Sequence, residues 1–456
     1  GDVLGVLSTS QSLLCRVPAG GVDGAFAHME GRTSLLLPGR PEKGVLGPGA
    51  KEGGTVFYNP AMSGSRTRSV LLMRYAIGAG FLGEGDIYAL DGLTASGLRA
   101  RRWLNELPAG MASRIKATIV DLDEAALEWA KASHEEYPPH HGEGEISAVR
   151  GDLRKEALNS GRHWVDIDPY GTPIPFIDSA MQSLARSSVL EVSATDTAAL
   201  TGSSKNPLLR RYGARVRTDC LSHDSGLRVL LATVAKVAAR HDRSIRPLVS
   251  IWDSHHLRVS VRVQKSVGSA NDLEESLGWR VFSPTEDEVR ESISSGLHHD
   301  STCEFLPMHC MLPLGSKVDR SDPRVSGPLW VSPIGDSEAM GSMTEEAAID
   351  SCGPRELGDG LDWEPRDLEL ERRRVARSVR NIAEEGAVIG SFHHVVVDDL
   401  ASWIETGAPP SPSKMVGILR EGGHGAGLSH YGRPSFRTDA PWEEVVDAAL
   451  SLQPPM

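Results

Sequence analysis

Short apolar runs alternate with helical stretches from Thr55 to about Gln264, and this alternation constrains the fold of the 456-residue chain most strongly. Five runs are predicted to be strands: Ile87–Leu90, Ala117–Val120, His163–Ile167, Ser188–Val192 and Val259–Val263. The apolar spacing between them predicts helices at Leu98–Leu107, Glu124–Ser133, Phe176–Ala185 and Gly226–Ala239. Strands and helices that alternate in this way predict a doubly wound, mainly parallel α/β sheet.

The composition along the chain predicts three regions. Residues 1–50 are rich in Gly and Pro, and we expect an irregular arm with a small hairpin there. Residues 51–265 hold the predicted sheet. Residues 266–456 contain Ser, Gly, Pro and acidic clusters, and we expect a second domain of the α+β class. Within that domain, Leu368–Glu384 is predicted to be one charged helix. Its arginines are Arg372, Arg373, Arg374, Arg377 and Arg380.

The charge and cysteine content narrow the class of protein. A net charge of −13 argues against nucleic-acid binding by bulk electrostatics, although a local basic surface acts within a Debye length of about 10 Å. No stretch of about 18 apolar residues predicts a membrane span. Five scattered cysteines favour a reducing cytosol. We expect the chain to be cytoplasmic and to come from a prokaryote, with an archaeon as the first choice. Cys303 and Cys310 lack a C-x-x-C partner, so no metal site is predicted.

Acidic residues follow three successive predicted strands. The first strand runs into the loop Asp91–Gly97, where Gly92 and Gly97 allow a ligand to approach the backbone and a helix begins. The spacing differs from the dinucleotide motif, and such a loop alone is a weak signal. Asp121 could accept ribose hydroxyls or cap a helix, and Asp123 is a further candidate for that cap. Asp152 follows another strand end, at Val149-Arg150, and could meet an adenine amino group. Together, Asp91, Asp121 and Asp152 favour a nucleoside-bearing cofactor.

The fourth strand ends in Asp168-Pro169-Tyr170-Gly171, a sequence suited to holding an aromatic amine. Such an amine is a poor nucleophile because its lone pair is delocalised into the ring. Asp168 and the Pro169 carbonyl can each accept one of its N–H groups, and Tyr170 can stack on the base. The alternative is a Pro-rich turn in which Asp168 is a cap and Tyr170 a surface aromatic. Asp166 is expected on the same side as Asp168, in a supporting role.

Stretches along most of the chain match the motifs of one known family. The matching stretches are Glu30-Gly31, Val56–Met62 with Arg66, Asp91–Arg102, Asp166–Ala180, Ser193–Leu200, Arg211–Gly213, His223–Arg228 and Arg437–Pro441. The D-P-[FY]-G-[ST]-P motif at Asp168–Pro173 and the motif around Asp196 are specific. With these stretches the chain resembles the tRNA (guanine-N2)-dimethyltransferases that modify position 26.

The resemblance implies a Rossmann-like class I methyltransferase sheet, S-adenosylmethionine as cofactor and tRNA as partner. The implied reaction gives N2-methylguanine and then N2,N2-dimethylguanine. Arg66 and Arg99 match arginines that lie near the cofactor and the target in the family, and Asp168 matches a catalytic acid. Residues assigned to the substrate are Phe57, Asn59, Asp196 and Arg211. The family also implies that residues 266–456 bind tRNA; no obligate protein partner is evident.

Departures from the family pattern lie outside Asp168. The usual N-R-D is Ser65-Arg66-Thr67 here, the usual H-E is His223-Asp224, and Tyr170 replaces the commoner Phe. The region 266–350 matches poorly, and many relatives carry more cysteines there, which places zinc in doubt.

Recognition of folded RNA is expected to use shape and phosphate contacts, with the target nucleotide unstacked. The candidate cations are Arg210, Arg211, Arg215 and Arg217, together with the Arg372–Arg380 group. Each group could equally be a solvated surface. Two alternatives stay open at this point: a methyltransferase for another exocyclic amine in nucleic acid, such as that of adenine, and a non-catalytic RNA-binding module. The sequence also leaves open whether one or two methyl groups are added and whether a neighbouring guanine is modified.

Overall fold

The structure is a computed structural model in two compact units. It describes residues 3–8 (backbone only), 25–39, 56–140, 144–159, 161–299, 305–356, 361 and 363–453. The first unit comprises Gly1–Pro169, Pro175–Val192 and Ser342–Arg380, and the second comprises Tyr170–Ile174, Ser193–Gly341 and Asn381–Met456. The units interleave along the chain, and the predicted functional division at residue 265 stays a prediction. Cys15 and Cys303 lie outside the described residues.

The strands in chain order are β1 Val3–Ser8, β2 Phe26–Glu30, β3 Thr33–Leu37, β4 Ile87–Gly92, β5 Ile115–Asp121, β6 Glu145–Arg150, β7 Arg162–Ile167, β8 Leu184–Ala194, β9 Arg243–Asp253, β10 His256–Lys265, β11 Leu277–Phe282, β12 His309–Pro313, β13 Val325–Trp330, β14 His393–Val396, β15 Ala426–Leu428 and β16 Ser435–Thr438.

The helices are α1 Ser63–Gly78, α2 Leu98–Glu106, α3 Ala109–Ala112, α4 Glu124–Glu136, α5 Leu153–Glu156, α6 Ile174–Ser183, α7 Thr197–Leu200, α8 Lys205–Tyr212, α9 Ser222–Arg240, α10 Val267–Asn271, α11 Glu286–Ser294, α12 Ser337–Gly341, α13 Glu345–Cys352, α14 Pro365–Arg377, α15 Ile382–Gly386, α16 Val397–Trp403, α17 Pro412–Glu421 and α18 Trp442–Ser451. Short 3-10 helices occupy Pro60–Met62 and Asp272–Ser276.

The first unit is built on a sheet with the strand order β1-β6-β5-β4-β7-β8. Strands β4 to β8 are parallel, and β1 adds an antiparallel edge that the sequence did not predict. The order reverses at β4, with β5 on one side and β7 on the other, and ligands bind at such a switch point. In register, Asp91 pairs with Asp166 across β4 and β7. The sheet therefore places these strand-end acids side by side.

Buried apolar side chains hold this sheet. Ile87, Leu90 and Trp164 are fully buried, as expected for parallel strands covered on both faces. The rings of Trp103 and Trp164 meet edge to face, with centroids 6.2 Å apart. The five predicted strands and four predicted helices are confirmed, with small shifts at their ends. The predicted hairpin is β2–β3, whose turn uses Gly31 at φ 60°.

The second unit contains two three-stranded antiparallel sheets, β12-β11-β13 and β14-β16-β15, and the antiparallel pair β9–β10. Helix α9 packs on β9, β10 and β13. A second apolar core includes Leu400, Met415, Phe436 and Trp442. This mixture of short sheets and helices is an α+β arrangement.

The prediction of one charged helix over Leu368–Glu384 is wrong in its bounds. Helix α14 ends at Arg377, and α15 begins at Ile382. Asn381 separates them with a left-handed φ of 63°, a conformation that cannot continue a right-handed α-helix. Helix α14 also belongs to the first unit, where buried Glu371 accepts a hydrogen bond from the backbone N–H of Gly31 at 2.9 Å.

Candidate active site

Arg99 lies in the first turn of α2 and contacts two acids at the end of β7. Its Nη2 atom lies 2.6 Å from Oδ2 of Asp168, and its Nε atom lies 3.4 Å from Oδ1 of Asp166. Asp166 is buried, whereas the Asp168 side chain is 18% exposed. Because the two acids are two residues apart, one guanidinium reaches both. The predicted placement of Asp166 and Asp168 on one side is confirmed.

The loop Asp91–Gly97 carries backbone strain at the carboxyl end of β4. Leu93, Ala95 and Gly97 have left-handed φ values of 60°, 48° and 66°. Leu and Ala seldom adopt this conformation, and such strain concentrates at functional sites. The backbone N–H of Ala95 donates to Oδ2 of Asp121 at 2.8 Å, so the acid after β5 stabilises the strained loop.

Asp91 is buried beneath this loop. Its Oδ2 atom accepts hydrogen bonds from Thr94 Oγ1 at 2.6 Å and from the backbone N–H of Ala100 at 3.4 Å. Burial raises the pKa of Asp91 above its usual range, although the positive charge of Arg99 opposes the shift. Asp91 therefore fastens the loop to α2; its role toward a cofactor stays a prediction.

Gly92 and Gly97 leave no room for a side chain. A Cβ atom on Gly92 would come within 2.6 Å of Leu153, and one on Gly97 within 2.8 Å of the Cβ of Ala130. Both positions thus allow close packing inside the first unit. The cofactor contact of Gly92 and Gly97 stays a prediction.

Asp152 begins α5 as its N-cap. Its Oδ1 atom accepts the backbone N–H of Arg154 at 2.9 Å, and its carboxylate also pairs with the guanidinium of Arg154. The side-chain and backbone hydrogen bonds from Arg154 lower the pKa of Asp152. Asp123 likewise caps α4 through the N–H of Ala125, as the sequence suggested. The adenine-binding role of Asp152 stays a prediction.

Arg66 is committed to a buried ion pair. Its Nε atom lies 2.7 Å from Oε1 of Glu30, and Arg102 donates to the same oxygen at 3.0 Å. Tyr58 donates its hydroxyl to Oε2 of Glu30 at 3.0 Å. Burial alone would raise the pKa of Glu30, but Arg66 and Arg102 lower it to about 2. Arg66 therefore fixes α1 against β2, and its predicted role near the cofactor stays a prediction.

Phe57 and Asn59 precede α1. Phe57 is half-buried. The Asn59 side chain caps the 3-10 helix by accepting the N–H of Ala61 at 2.9 Å, and the Asn59 carbonyl accepts from Arg66 at 3.0 Å. These contacts give the segment a defined conformation. The guanine-pocket role of both residues stays a prediction.

Within the second unit, the residues after Pro169 are fastened to the end of β8. Tyr170 is 62% exposed. The N–H of Gly171 donates to Oγ1 of Thr195 at 2.6 Å, and the N–H of Thr195 donates to the Gly171 carbonyl at 2.9 Å. This pair of hydrogen bonds fixes the turn that presents the Tyr170 ring.

Asp196 lies beside this turn and accepts hydrogen bonds from two side chains. Arg211 Nη1 lies 3.0 Å from Oδ2, and the Tyr212 hydroxyl lies 2.9 Å from Oδ1. The Tyr212 hydroxyl also meets Oγ1 of Thr172 at 2.9 Å. The structure thus brings the predicted residues Asp196 and Arg211 together. Tyr212 was missed as a site residue, although it follows Arg211 in a matched motif.

The candidate RNA-binding arginines differ in their exposure and in their contacts. Arg210, Arg211 and Arg215 are exposed, whereas the guanidinium of Arg217 lies 4.2 Å above the ring of Phe282. The five arginines between residues 372 and 380 are also exposed. Ion pairs with acids on α14 engage some of them, as at Arg373–Glu369. Their contact with RNA stays a prediction.

None of the helices in the described ranges has the length and apolarity needed to span a membrane. Groups of three or more potential metal-ligating side chains are also absent from those ranges.

Residues 42–450 match the family model TRM, described as N2,N2-dimethylguanosine tRNA methyltransferase. A tRNA (guanine(26)-N(2))-dimethyltransferase of Aeropyrum pernix is 31% identical over 94% of this chain and 97% of its own length. One of Thermococcus kodakarensis is 28% identical over 93% of this chain and 99% of its own length. A tRNA (guanine(26)-N(2)/guanine(27)-N(2))-dimethyltransferase of Aquifex aeolicus is 28% identical over 86% of this chain and 88% of its length.

Among solved structures, Trm1 from Pyrococcus horikoshii, in complex with S-adenosyl-L-methionine, resembles this fold with a TM-score of 0.70. The two chains are 22% identical, and the match covers 93% of this chain and 99% of the other. The Rossmann-like α/β methyltransferase fold is thereby confirmed. With the family model and the relatives covering nearly all of it, the chain belongs to the N2,N2-dimethylguanosine tRNA methyltransferase family.

Proposed function

We propose that this chain transfers methyl groups from S-adenosylmethionine to the exocyclic N2 amine of guanine 26 in tRNA. The observation that carries the proposal is the Arg99–Asp168 ion pair of 2.6 Å at the end of β7, in a chain of this family. It places a partly exposed carboxylate where a parallel sheet binds its ligands.

The cofactor supplies an electrophilic methyl group when bound. Two features of the first unit suit it. Nη1 of Arg99 is buried without a hydrogen-bond partner among the described residues, and a guanidinium N–H suits a carboxylate group. Asp121 is partly exposed and accepts two backbone N–H groups, at Ala95 and Asp123, whereas a carboxylate has about four acceptor positions. Asp121 can therefore also accept ribose hydroxyls.

Asp168 is proposed to orient the amine and to take its proton. A carboxylate that accepts one N–H of the amine draws the nitrogen lone pair away from the ring, and the Pro169 carbonyl can accept the second N–H. When the new N–C bond forms, the nitrogen loses one proton, which Asp168 accepts. Arg99 holds the carboxylate in one orientation, so the acceptor is set before the base arrives.

Tyr170 is proposed to stack on the guanine. Its exposed ring directly follows Pro169 in the chain, and the hydrogen bonds at Gly171 fix the turn behind it. A stacked base has its plane defined, which directs the amine toward the methyl group. The nucleotide must leave the folded tRNA to reach such a ring.

Two finer assignments belong to the same proposal. We assign methyl transfer to residues 51–265 and tRNA binding mainly to residues 266–456, as predicted from the sequence. The free thiols of Cys220, Cys310 and Cys352 support the predicted cytoplasmic location.

Mass spectrometry of nucleosides from unmodified tRNA, treated with the protein and S-adenosylmethionine, tests the proposal. We expect N2-methylguanosine followed by N2,N2-dimethylguanosine. Methylated adenosine would instead support an enzyme for another exocyclic amine, and an unmodified product would support a non-catalytic RNA-binding module. Mapping the modified residue separates guanine 26 from guanine 27, the second position named for the Aquifex aeolicus relative.

A further inference from the structure

The second unit contains a cavity with an unusual concentration of unsatisfied polar groups. Its lining includes Arg280, His298, Ser391, His393 and Trp442. Each of these side chains has a buried nitrogen or oxygen atom without a hydrogen-bond partner among the described residues. Buried polar groups in native proteins almost always have a partner, so these atoms indicate a missing ligand. We call this site the donor cavity.

Three of the side chains with unsatisfied atoms, His298, His393 and Trp442, lie close to one another. The ring centroids of His298 and His393 are 5.0 Å apart, and those of His393 and Trp442 are 5.3 Å apart. Arg280, His298, His393 and Trp442 are each at least 95% buried. A compact ligand can therefore meet several of them at once.

The available atoms are mainly hydrogen-bond donors. Nε of Arg280 and Nε1 of Trp442 can only donate, and Oγ of Ser391 can donate its proton. Burial lowers the pKa of His298 to about 4 and that of His393 well below its usual range. At neutral pH each imidazole is uncharged and can still donate one N–H. A ligand that satisfies this set must offer several acceptors.

The charged side chains around the donor cavity largely balance one another. Three arginines contribute to the lining, Arg228, Arg280 and Arg437, against one acid, Asp224. Other acids pair with two of these arginines from outside the lining: Asp219 with Arg280, and Glu385 with Arg437. Hydrogen-bond donation, reinforced by the charged Nε–H of Arg280, is thus the main attraction.

We propose that the donor cavity binds a phosphate-type oxyanion, either inorganic phosphate or a phosphate group of bound RNA. A tetrahedral oxyanion presents several acceptor oxygens within a small volume, which suits a cavity lined by the unsatisfied donors of Arg280, Ser391 and Trp442. The proposal goes beyond methyl transfer and does not depend on it, because every group involved belongs to the donor cavity.

Binding of inorganic phosphate to the full chain tests the proposal, by calorimetry and thermal melting at constant ionic strength set with KCl. We expect saturable binding that raises the melting temperature. Ser391→Ala and Trp442→Phe each remove one donor and are expected to weaken binding roughly fivefold to tenfold. Matched controls are Ser402→Ala and Trp403→Phe, which change similar side chains outside the lining and should bind phosphate like the unaltered chain.

The partly exposed position of Ser391 makes its variant the safer one for folding. Absence of phosphate binding to the unaltered chain, or unchanged binding in both cavity variants, would overturn the proposal.

A second titration in the presence of saturating tRNA distinguishes the two sources of phosphate. Loss of phosphate binding assigns the donor cavity to a phosphate of RNA, and retained binding assigns it to the free anion. The phosphate titrations contain no S-adenosylmethionine, so a failure to bind phosphate is distinct from a failure of methyl transfer.

Discussion

Arg99 and Asp168 form an ion pair of 2.6 Å, and the same guanidinium also neutralises the buried Asp166. Two carboxylates this close in sequence repel each other in a buried setting unless a cation lies between them. Arg99 therefore links the loop that follows β4 to the end of β7. Its position explains how an acidic pair can be kept in one conformation at the edge of the sheet.

Asp168→Asn should abolish methyl transfer. Asn retains the size of Asp but cannot accept the proton of the amine, and loss of such a group typically lowers a rate by about 10²- to 10⁴-fold. The rate of methyl incorporation into tRNA measures the effect, with circular dichroism to verify folding. Asp398→Asn, a matched change at an exposed position in α16, should leave the rate unaltered. Unchanged transfer by Asp168→Asn would contradict the proposed mechanism.

Arg99→Lys should lower methyl transfer at least tenfold, an effect of about 1.4 kcal/mol on the barrier. A lysine ammonium is a single point charge and cannot reproduce the two separate contacts of the guanidinium with Asp166 and Asp168. Arg99→Gln should in addition destabilise the chain by about 3–5 kcal/mol, because it removes the cation that contacts both the buried Asp166 and Asp168. Rate measurement and thermal unfolding check the two parts. A rate for Arg99→Lys equal to that of the unaltered chain would exclude the orienting role.

Protonation of Glu30 at acidic pH should lower the free energy of unfolding of the chain. The ion pairs with Arg66 and Arg102 lower its pKa from an ordinary 4.5 to about 2, so the unfolded chain binds its proton first. The stabilisation is complete above about pH 4.5 and is lost as pH falls toward 2. The free energy of unfolding across this window should decrease more steeply for the unaltered chain than for Glu30→Gln. Parallel curves for the two proteins would show that Glu30 does not contribute.

Affinity for tRNA should fall with salt and depend on exposed arginines. Each phosphate contact contributes nearly one unit to the slope of log affinity against log salt concentration. We expect Arg377→Ala with Arg380→Ala to reduce the magnitude of that slope by about one to two units, as measured by filter binding. Arg290→Ala is a matched control, because its exposed guanidinium already pairs with Glu286 and Asp287. An affinity that ignores ionic strength would contradict an arginine-based RNA surface.

The sheet could be predicted from the sequence because its signals are local. Apolar runs such as Ile87–Leu90 mark strands, and Asp123 marks the start of the helix that follows β5. The proposed acids were found for the same reason, since each lies at or close to the carboxyl end of a strand. The edge strand β1 was missed, because its pairing partner β6 is far away in the chain.

The partners of the site residues could not be predicted, because they depend on long-range contacts. Glu30 meets Arg66 and Arg102 from positions 36 and 72 residues away. A single sequence contains no pattern for such a pairing, so the ion pair of Arg66 with Glu30 could not be foreseen. Helix α14 illustrates the same point, because it packs on α1, far away in the chain, and its Glu371 accepts a hydrogen bond from Gly31.

The acceptor atom is the central claim, and one substitution in the substrate tests it directly. A tRNA with inosine at position 26 keeps the purine ring of guanosine but lacks the exocyclic amine. We predict that the chain incorporates up to two methyl groups at position 26 of the guanosine-containing tRNA and none at that position of the inosine-containing one. Equal methyl incorporation at position 26 of both substrates would contradict the account.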